Sequence, residues 1–270
     1  MAFFDLTKFE IIDLEFPRKV GMPGMPTHKP VFGYEIAHRH SESDARIQGT
    51  RTSAWGSISG NEHEGTHVDA LCHQAESGKM FGGVEVTEET ETKGGFTVNG
   101  AENIPIFFNR GILLDVPAIK GVESLEPRYR ITAQELEECC RVQKLSITPG
   151  CVVLVNLGNA RFWNDRERYL DSPGVSSSAS QMLADKKVIA VGADNFSWDE
   201  PTDFDTELNC NGPGHVILIV RSGIHIFENL NLAPLVSSGH REFIFIAAPL
   251  KLVGATASPI RPLALIPLSI

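Results

Sequence analysis

The chain has 270 residues, 24 basic and 34 acidic side chains for a net charge of −10, and 42% apolar and 21% charged residues. That is ordinary globular composition and excludes a disordered, collagenous or coiled-coil chain. The acidic balance argues against a binder of nucleic-acid phosphates, which needs clustered Lys and Arg, and the length suits one large domain.

The N-terminal stretch MAFFDLTKFEIIDLEF carries Asp5, Glu10 and Asp13 and lacks a basic region followed by a clean apolar run, so it does not read as a signal peptide. No run of apolar residues reaches the length of a membrane span, and no membrane partner is expected. Five irregularly spaced cysteines (Cys72, Cys139, Cys140, Cys151 and Cys210) read as free thiols, which suits a cytoplasmic location.

Residues 21–30, GMPGMPTHKP, predict an irregular loop, and TKGG at 92–95 and GPG at 212–214 predict turns. The first half of the chain reads as rich in strands and loops. Short β-rich apolar runs follow at 111–115, 152–156, 188–191, 224–227 and 243–247, each with the length of a buried strand. Thr132 with Glu135 forms a capping box before one helix, and Ser176 or Ser177 opens a second through SASQMLADKK. Strands alternating with helices predict α/β packing in a single domain over residues 1–270.

The stretch NEHEGTHVDALCHQ, residues 61–74, packs His63, His67, Asp69 and His73 together. A helix would set His63 and His67 on one face, but Gly65 and β-branched Thr66 lie between them and Asp69 would point away. An extended backbone does better, because residues of equal parity line one side of a strand and all four positions are odd. Two imidazoles and a carboxylate suit a borderline ion such as Zn²⁺ or Mn²⁺ and leave positions open for water. Far downstream, His215 follows the GPG turn and Glu228 ends the IHIF run, where it presents a carboxylate either to a site or to solvent. His225 reads as structural.

At these residues the chain resembles the cyclase-like metal-dependent hydrolases, the "Putative cyclase" family, to which bacterial kynurenine formamidase and isatin hydrolase belong. The family pattern H-x-G-T-H-x-D-x-P-x-H is matched from His63 to His73, with Leu71 in place of the proline. GMPGMP at 21–26, RGILLD at 110–115, GVESLEP at 121–127, PGCVVLVNLG at 149–158, VGAD at 191–194, His215 with Gly223-Ile224 and Glu228-Asn229, and GATASP with Arg261 resemble further family segments, so the likeness spans nearly the whole chain.

The resemblance implies a swivelling β/β/α-type α/β domain with a mixed sheet, assembled as a homodimer or homotetramer, and one or two catalytic divalent ions, Zn or Mn. It implies that His63, His67 and Asp69 hold one ion, that Asp69, His215 and Glu228 hold a second, and that His73 is the acid/base residue. The implied reaction is metal-dependent hydrolysis of an amide or ester bond in a small acyl compound, such as a lactam, cyclic imide, lactone or aryl formamide. A cyclising or dehydrating enzyme on the same site, and a metal-binding protein without activity, are the rival readings. Asp194 and Trp198 are expected to line the substrate, with Phe4, Phe16 and Trp55 as weaker candidates. The apolar run PLALIPLSI at 262–270 is expected to be buried as a strand or against a second subunit.

Overall fold

A computed structural model describes residues 5–268 of the chain; Phe4, Ser269 and Ile270 lie outside the described residues. The backbone is organised by one nine-stranded sheet. Its strands, in chain order, are β1 (Phe9–Asp13), β2 (His67–Asp69), β3 (Phe107–Asp115), β4 (Val152–Asn156), β5 (Ala190–Ala193), β6 (His225–Glu228), β7 (Glu242–Ala247), β8 (Ala257–Pro259) and β9 (Leu263–Pro267). They lie side by side in the order β1-β9-β7-β3-β4-β5-β6-β2-β8. The central β3, β4, β5 and β6 run parallel, and every flanking pair is antiparallel, which makes the sheet mixed.

The parallel strands are continuous apolar runs because both of their faces are covered. Alternation along each strand sorts the side chains. Ile112, Leu114, Val153 and Val155 face a core closed by α1 (Ala133–Gln143), α2 (Ser177–Asp185) and the helical segment 213–221. Leu113, Val152 and Leu154 face a second core, shared with Phe227, Phe243 and Phe245. The helices start where the caps predicted. Thr132 Oγ1 accepts from Glu135 N while the Glu135 carboxylate accepts from Thr132 N, at 3.4 and 2.9 Å, and Ser176 Oγ accepts from Ala179 N at 3.4 Å.

The C-terminal run is a strand as far as it is described: β9 pairs with both β1 and β7, and Leu265 and Ile266 are buried. An antiparallel hairpin, Gly33–His38 with Trp55–Ser59, stands outside the main sheet and exposes Tyr34, Ile36, Trp55 and Ile58. No helix among the described residues is long and apolar enough to cross a membrane.

The arrangement puts one place in the fold under particular demands. β6 ends at Glu228, and antiparallel β2 begins there, with His67 paired to Glu228. The carboxyl edge of a parallel sheet is where α/β proteins place their ligands.

Candidate metal centre

Of the motif residues, only His67–Asp69 are in a strand; His63 and His73 lie in the turns that enter and leave it. The entering turn needs Gly65, whose φ is +71° and whose missing Cβ would meet Arg18 Nη1 at 3.1 Å. Arg18 crosses that turn and binds the carbonyls of Glu64 and Thr66. The leaving turn is closed by His73 N donating to the Ala70 carbonyl at 3.0 Å, while Leu71 packs against the helix-covered core. Parity therefore holds for His67 and Asp69, and turns, not strand continuity, bring the other two histidines in.

Ligand-type atoms of five residues meet on the floor of a cleft. His63 Nδ1 lies 3.1 Å from Asp69 Oδ1, and His67 Nε2 lies 3.5 Å from the same oxygen and 3.3 Å from Glu228 Oε2. His215 Nε2 lies 3.3 Å from Glu228 Oε1 and 3.7 Å from Asp69 Oδ2. Atoms of His67, Asp69 and Glu228 fall within 4.8 Å of one another, and so do atoms of His63, Asp69 and His73. Asp69 thus belongs to both groups. His73 sits inside the ligand-distance set, its ring 4.1 Å from that of His63 and its Nε2 accepting from the Gln74 amide at 3.1 Å.

Each imidazole is turned by a partner on its far nitrogen. His67 Nδ1 donates to the Gly65 carbonyl at 2.8 Å. His215 Nδ1 donates to Asp199 Oδ2 at 2.6 Å, and the same carboxylate also accepts from Gly214 N and His215 N. Gly214 is required for this: a Cβ there would stand 2.7 Å from Asp199 Oδ1. The Thr256 hydroxyl donates to Glu62 Oε1 at 2.8 Å, so it accepts from His63 Nε2, also at 2.8 Å. With those nitrogens protonated, the other three direct lone pairs at the oxygens of Asp69 and Glu228.

Lone pairs facing lone pairs in a buried site require a cation. Asp69 is fully buried, and both its oxygens lack a hydrogen-bond partner, as do His67 Nε2 and Glu228 Oε1. Such orphaned atoms are costly. Without an ion, protons supply the charge. Burial opposes charging of His67, but Asp69 and Glu228 outweigh it and lift the imidazole to about 10. His215 is likewise raised, against burial, by Asp199 and Glu228. Burial works against ionised Asp69 too, yet His73, His63 and His67 hold it well below the usual carboxylate range. Burial dominates at His73 and pushes it down to about 3, so that this imidazole is neutral. Neutral imidazoles and ionised carboxylates converging on one point are a donor set that fits a divalent ion such as zinc.

The cleft above this floor has a volume of about 320 Å³ and is walled by Met25, His28, Phe196, Pro201 and Asn211. Two expected lining residues do not reach it. Trp198 is fully buried in the helix-covered core, and its Nε1 donates to Ser180 Oγ at 3.0 Å. Asp194 turns inward and accepts from Leu157 N and Ala160 N at 2.7 and 2.9 Å. Phe196, two residues after Asp194, and Asp199, next to Trp198, face the cleft instead. Phe16 stacks on Trp163 in a satellite core, and Trp55 stacks on His38 in the outer hairpin. His225 is structural, as expected, with Nδ1 donating to the Asp69 carbonyl at 2.8 Å.

Asp199, Glu62, Thr256 and His28 went unread in the sequence. Thr256 lies in GATASP and Asp199 directly follows Trp198, but only the fold puts them behind an imidazole. His28 sits in the Pro-rich loop, its ring 5.7 Å from that of His63.

A family profile described as "Putative cyclase" matches residues 12–200. No curated protein matches the chain. Among solved structures, a novel cyclase is 25% identical with a TM-score of 0.83, over 95% of this chain and 88% of that one. Isatin hydrolase A from Ralstonia solanacearum is 21% identical with a TM-score of 0.74, over 96% and 93% of the two chains. A predicted metal-dependent hydrolase from Bacillus stearothermophilus is 22% identical with a TM-score of 0.60, over 95% and 98%. These likenesses cover the whole fold, and the mixed α/β sheet is common to them.

Proposed function

The chain belongs to the "Putative cyclase" family, and from that premise we propose that it is a metal-dependent hydrolase. Its substrate is a small, cyclic or aromatic acyl compound with an amide or ester bond: a lactam, cyclic imide, lactone or aryl formamide. One observation carries this reading. The orphaned oxygens of Asp69 and Glu228 and the free nitrogen of His67 meet at the floor of a cleft that opens outward. Isatin hydrolases among the similar structures support a cyclic amide.

His63, His67, Asp69, His215 and Glu228 are the residues that would hold the ion or ions, zinc or manganese, with Asp69 shared. A divalent ion there supplies a Lewis acid that brings the pKa of water toward ~7 and polarises an acyl carbonyl. His73 stands in the wall beside His63 with Nε2 accepting from the Gln74 amide, and the proposal gives it the transfer of a proton to the leaving nitrogen or oxygen. Phe196, Met25 and Pro201 form an apolar wall suited to a flat acyl group. Assembly as a homodimer or homotetramer is part of the proposal, supported by the apolar face of the Gly33–Ser59 hairpin.

The test is a hydrolysis screen of aryl formamides, isatin-like lactams, cyclic imides and lactones. Zinc-loaded, manganese-loaded and chelated protein are compared by acid release in a pH-stat. Turnover that vanishes on chelation and returns with the ion is expected. Full activity of metal-free protein would overturn the reading, and release of water from an open-chain substrate would replace it with cyclisation.

A further inference from the structure

Tyr169 is a fully buried phenol to which the proposed chemistry gives no role. Its hydroxyl lies 2.9 Å from Asn229 Oδ1, and Asn229 Nδ2 lies 3.0 Å from the Gly65 carbonyl. That carbonyl is the one that receives His67 Nδ1–H at 2.8 Å. We propose that Tyr169 is a positioning residue for the metal centre, acting on His67 through Asn229 and the Gly65 carbonyl. The inference rests on the metal-binding reading above and extends it to residues outside the ligand set.

Hydrogen-bond polarity fixes the direction of the chain. A carbonyl oxygen only accepts, so the Asn229 atom facing Gly65 must be the amide nitrogen. Its oxygen therefore faces Tyr169, and the phenol must donate. The Gly65 carbonyl thus sets which way the amide lies, and the phenol proton holds it there. The amide holds the carbonyl, and the carbonyl holds His67 in the tautomer whose Nε2 lone pair faces Asp69 and Glu228.

Asn229 is also placed to couple two ligands. It follows Glu228 directly, with φ at +55°. Its own carbonyl accepts from Thr66 Oγ1 at 2.6 Å, next to His67. Through backbone and side chain together, Asn229 thereby ties the end of β6 to the start of β2. Arg18 takes the carbonyls on either side of Gly65, at Glu64 and Thr66. The Gly65 carbonyl is the one left to His67 and Asn229.

The Tyr169 ring is held by packing that does not need the hydroxyl. It meets Trp163 edge-on at 5.1 Å, and Trp163 stacks on Phe16 at 4.1 Å. Tyr169→Phe therefore removes the donor and leaves the ring in place.

The experiment titrates zinc into wild-type and Tyr169→Phe protein against a chromophoric chelator. Loss of an outer partner of a ligating histidine costs ~10–100-fold in affinity, and this donor is one bond further out, so a rise in Kd of about tenfold is expected. In zinc-loaded protein the His67 Nδ1–H resonance should move upfield and exchange faster. A purely structural tie would move neither. In an Asn229→Asp background the chain is already cut, and Tyr169→Phe should change Kd little. An unchanged Kd and an unchanged His67 resonance in Tyr169→Phe would overturn the proposal. So would a full tenfold loss that persists in the Asn229→Asp background. Should Asn229→Asp not fold, Kd and the resonance of Tyr169→Phe alone decide. Wild-type protein that binds neither zinc nor manganese would overturn the metal-centre reading itself, and that result is distinct from a wild type that binds zinc beside a variant that binds it equally well.

Discussion

Two acidic residues end neighbouring parallel strands: Asp194 follows β5 and Glu228 closes β6. Both are buried, and both are the kind of residue that a sequence reading sends to a site. Asp194 is saturated by the backbone N–H groups of Leu157 and Ala160, so it serves as the anchor of the loop after β4. Glu228 receives no backbone donor among these interactions. It faces the imidazoles of His67 and His215, with Oε1 left unpartnered. The register that pairs Gly192 with Phe227 sets Ala193 beside Glu228, so Asp194 lies one residue further along, and the neighbouring loop supplies each acid with its partners. Where the loop supplies amides, the carboxylate is structural; where it supplies histidines, the carboxylate can serve an ion.

The sharpest way to break this comparison is to neutralise each acid in turn. Glu228→Gln and Asp69→Asn should weaken zinc binding by more than the ~10–100-fold of an outer-shell loss, and turnover should fall with occupancy. Asp194→Asn should bind zinc like the wild type and lose about 1–3 kcal/mol of stability, since an amide cannot accept from both backbone donors as the carboxylate does. Zinc content after dialysis and urea unfolding read the two effects. Zinc retained by Glu228→Gln and lost by Asp194→Asn would invert the assignment.

Acid should separate the two ends next. The ligand imidazoles must be neutral to bind an ion, yet without one His67 is lifted to about 10 by Asp69 and Glu228 against burial, and His215 is raised too. Binding therefore releases protons, and affinity rises with pH. With two protons displaced, the slope approaches ~100-fold per pH unit near neutrality. The His67 share disappears above about 10. Asp194 acts in the other sense and on folding alone. Burial raises it from 3.8 to about 6 against its backbone donors, so the folded chain binds the extra proton and stability falls as pH rises through that window. Zinc Kd at a series of pH values checks the first effect; a pH-independent Kd would mean that the histidines do not exchange protons for the ion.

Asp199→Asn is the intermediate case. The amide oxygen can still accept from Gly214 N, but the amide nitrogen then replaces the oxygen that His215 Nδ1–H meets at 2.6 Å. A loss of ~10–100-fold in zinc affinity is expected, with the fold intact by circular dichroism. Wild-type affinity would make Asp199 a structural acceptor like Asp194.

The sequence made the frame legible for physical reasons. The apolar runs of β3, β4, β6 and β7 and the caps at Thr132 and Ser176 are local signals that tertiary packing reinforces. The apolar run at 188–191 begins two residues before the strand itself, Ala190–Ala193. The motif was legible as a set of ligand-type residues, although only His67 and Asp69 owe their common direction to strand parity. What was not legible is long-range. Thr256 lies 193 residues from His63, and Asp199 lies 16 residues from His215. Nothing in their spacing announces either pairing. The inward turn of Asp194 depends on amides 34 and 37 residues away. The helical stretch 213–221, which carries His215 at the end of its first turn, shows in the sequence only a turn and a histidine. Its π-helical continuation, Val216–Arg221, has no simple periodic signature.

Trp198 gives the smallest expected effect on activity and the finest test of where the cleft ends. It follows Phe196 by two residues, and extended backbone would place both on one side. A φ of +38° at Trp198 breaks that alternation, so Phe196 reaches the cleft while the indole enters the core. The indole packs against Gly214, one residue before His215, and donates to Ser180 Oγ, which itself donates to the Ser176 carbonyl at 2.9 Å. Trp198→Phe keeps an aromatic ring, removes one buried hydrogen bond worth ~0.5–1.5 kcal/mol, and leaves Ser180 with its acceptor. Urea unfolding should show that loss plus a further cost for unfilled volume. KM for whatever acyl compound the screen yields should stay at its wild-type value, whereas Phe196→Ala should raise it. A KM raised by Trp198→Phe and untouched by Phe196→Ala would return the indole to the substrate side and move the cleft wall with it.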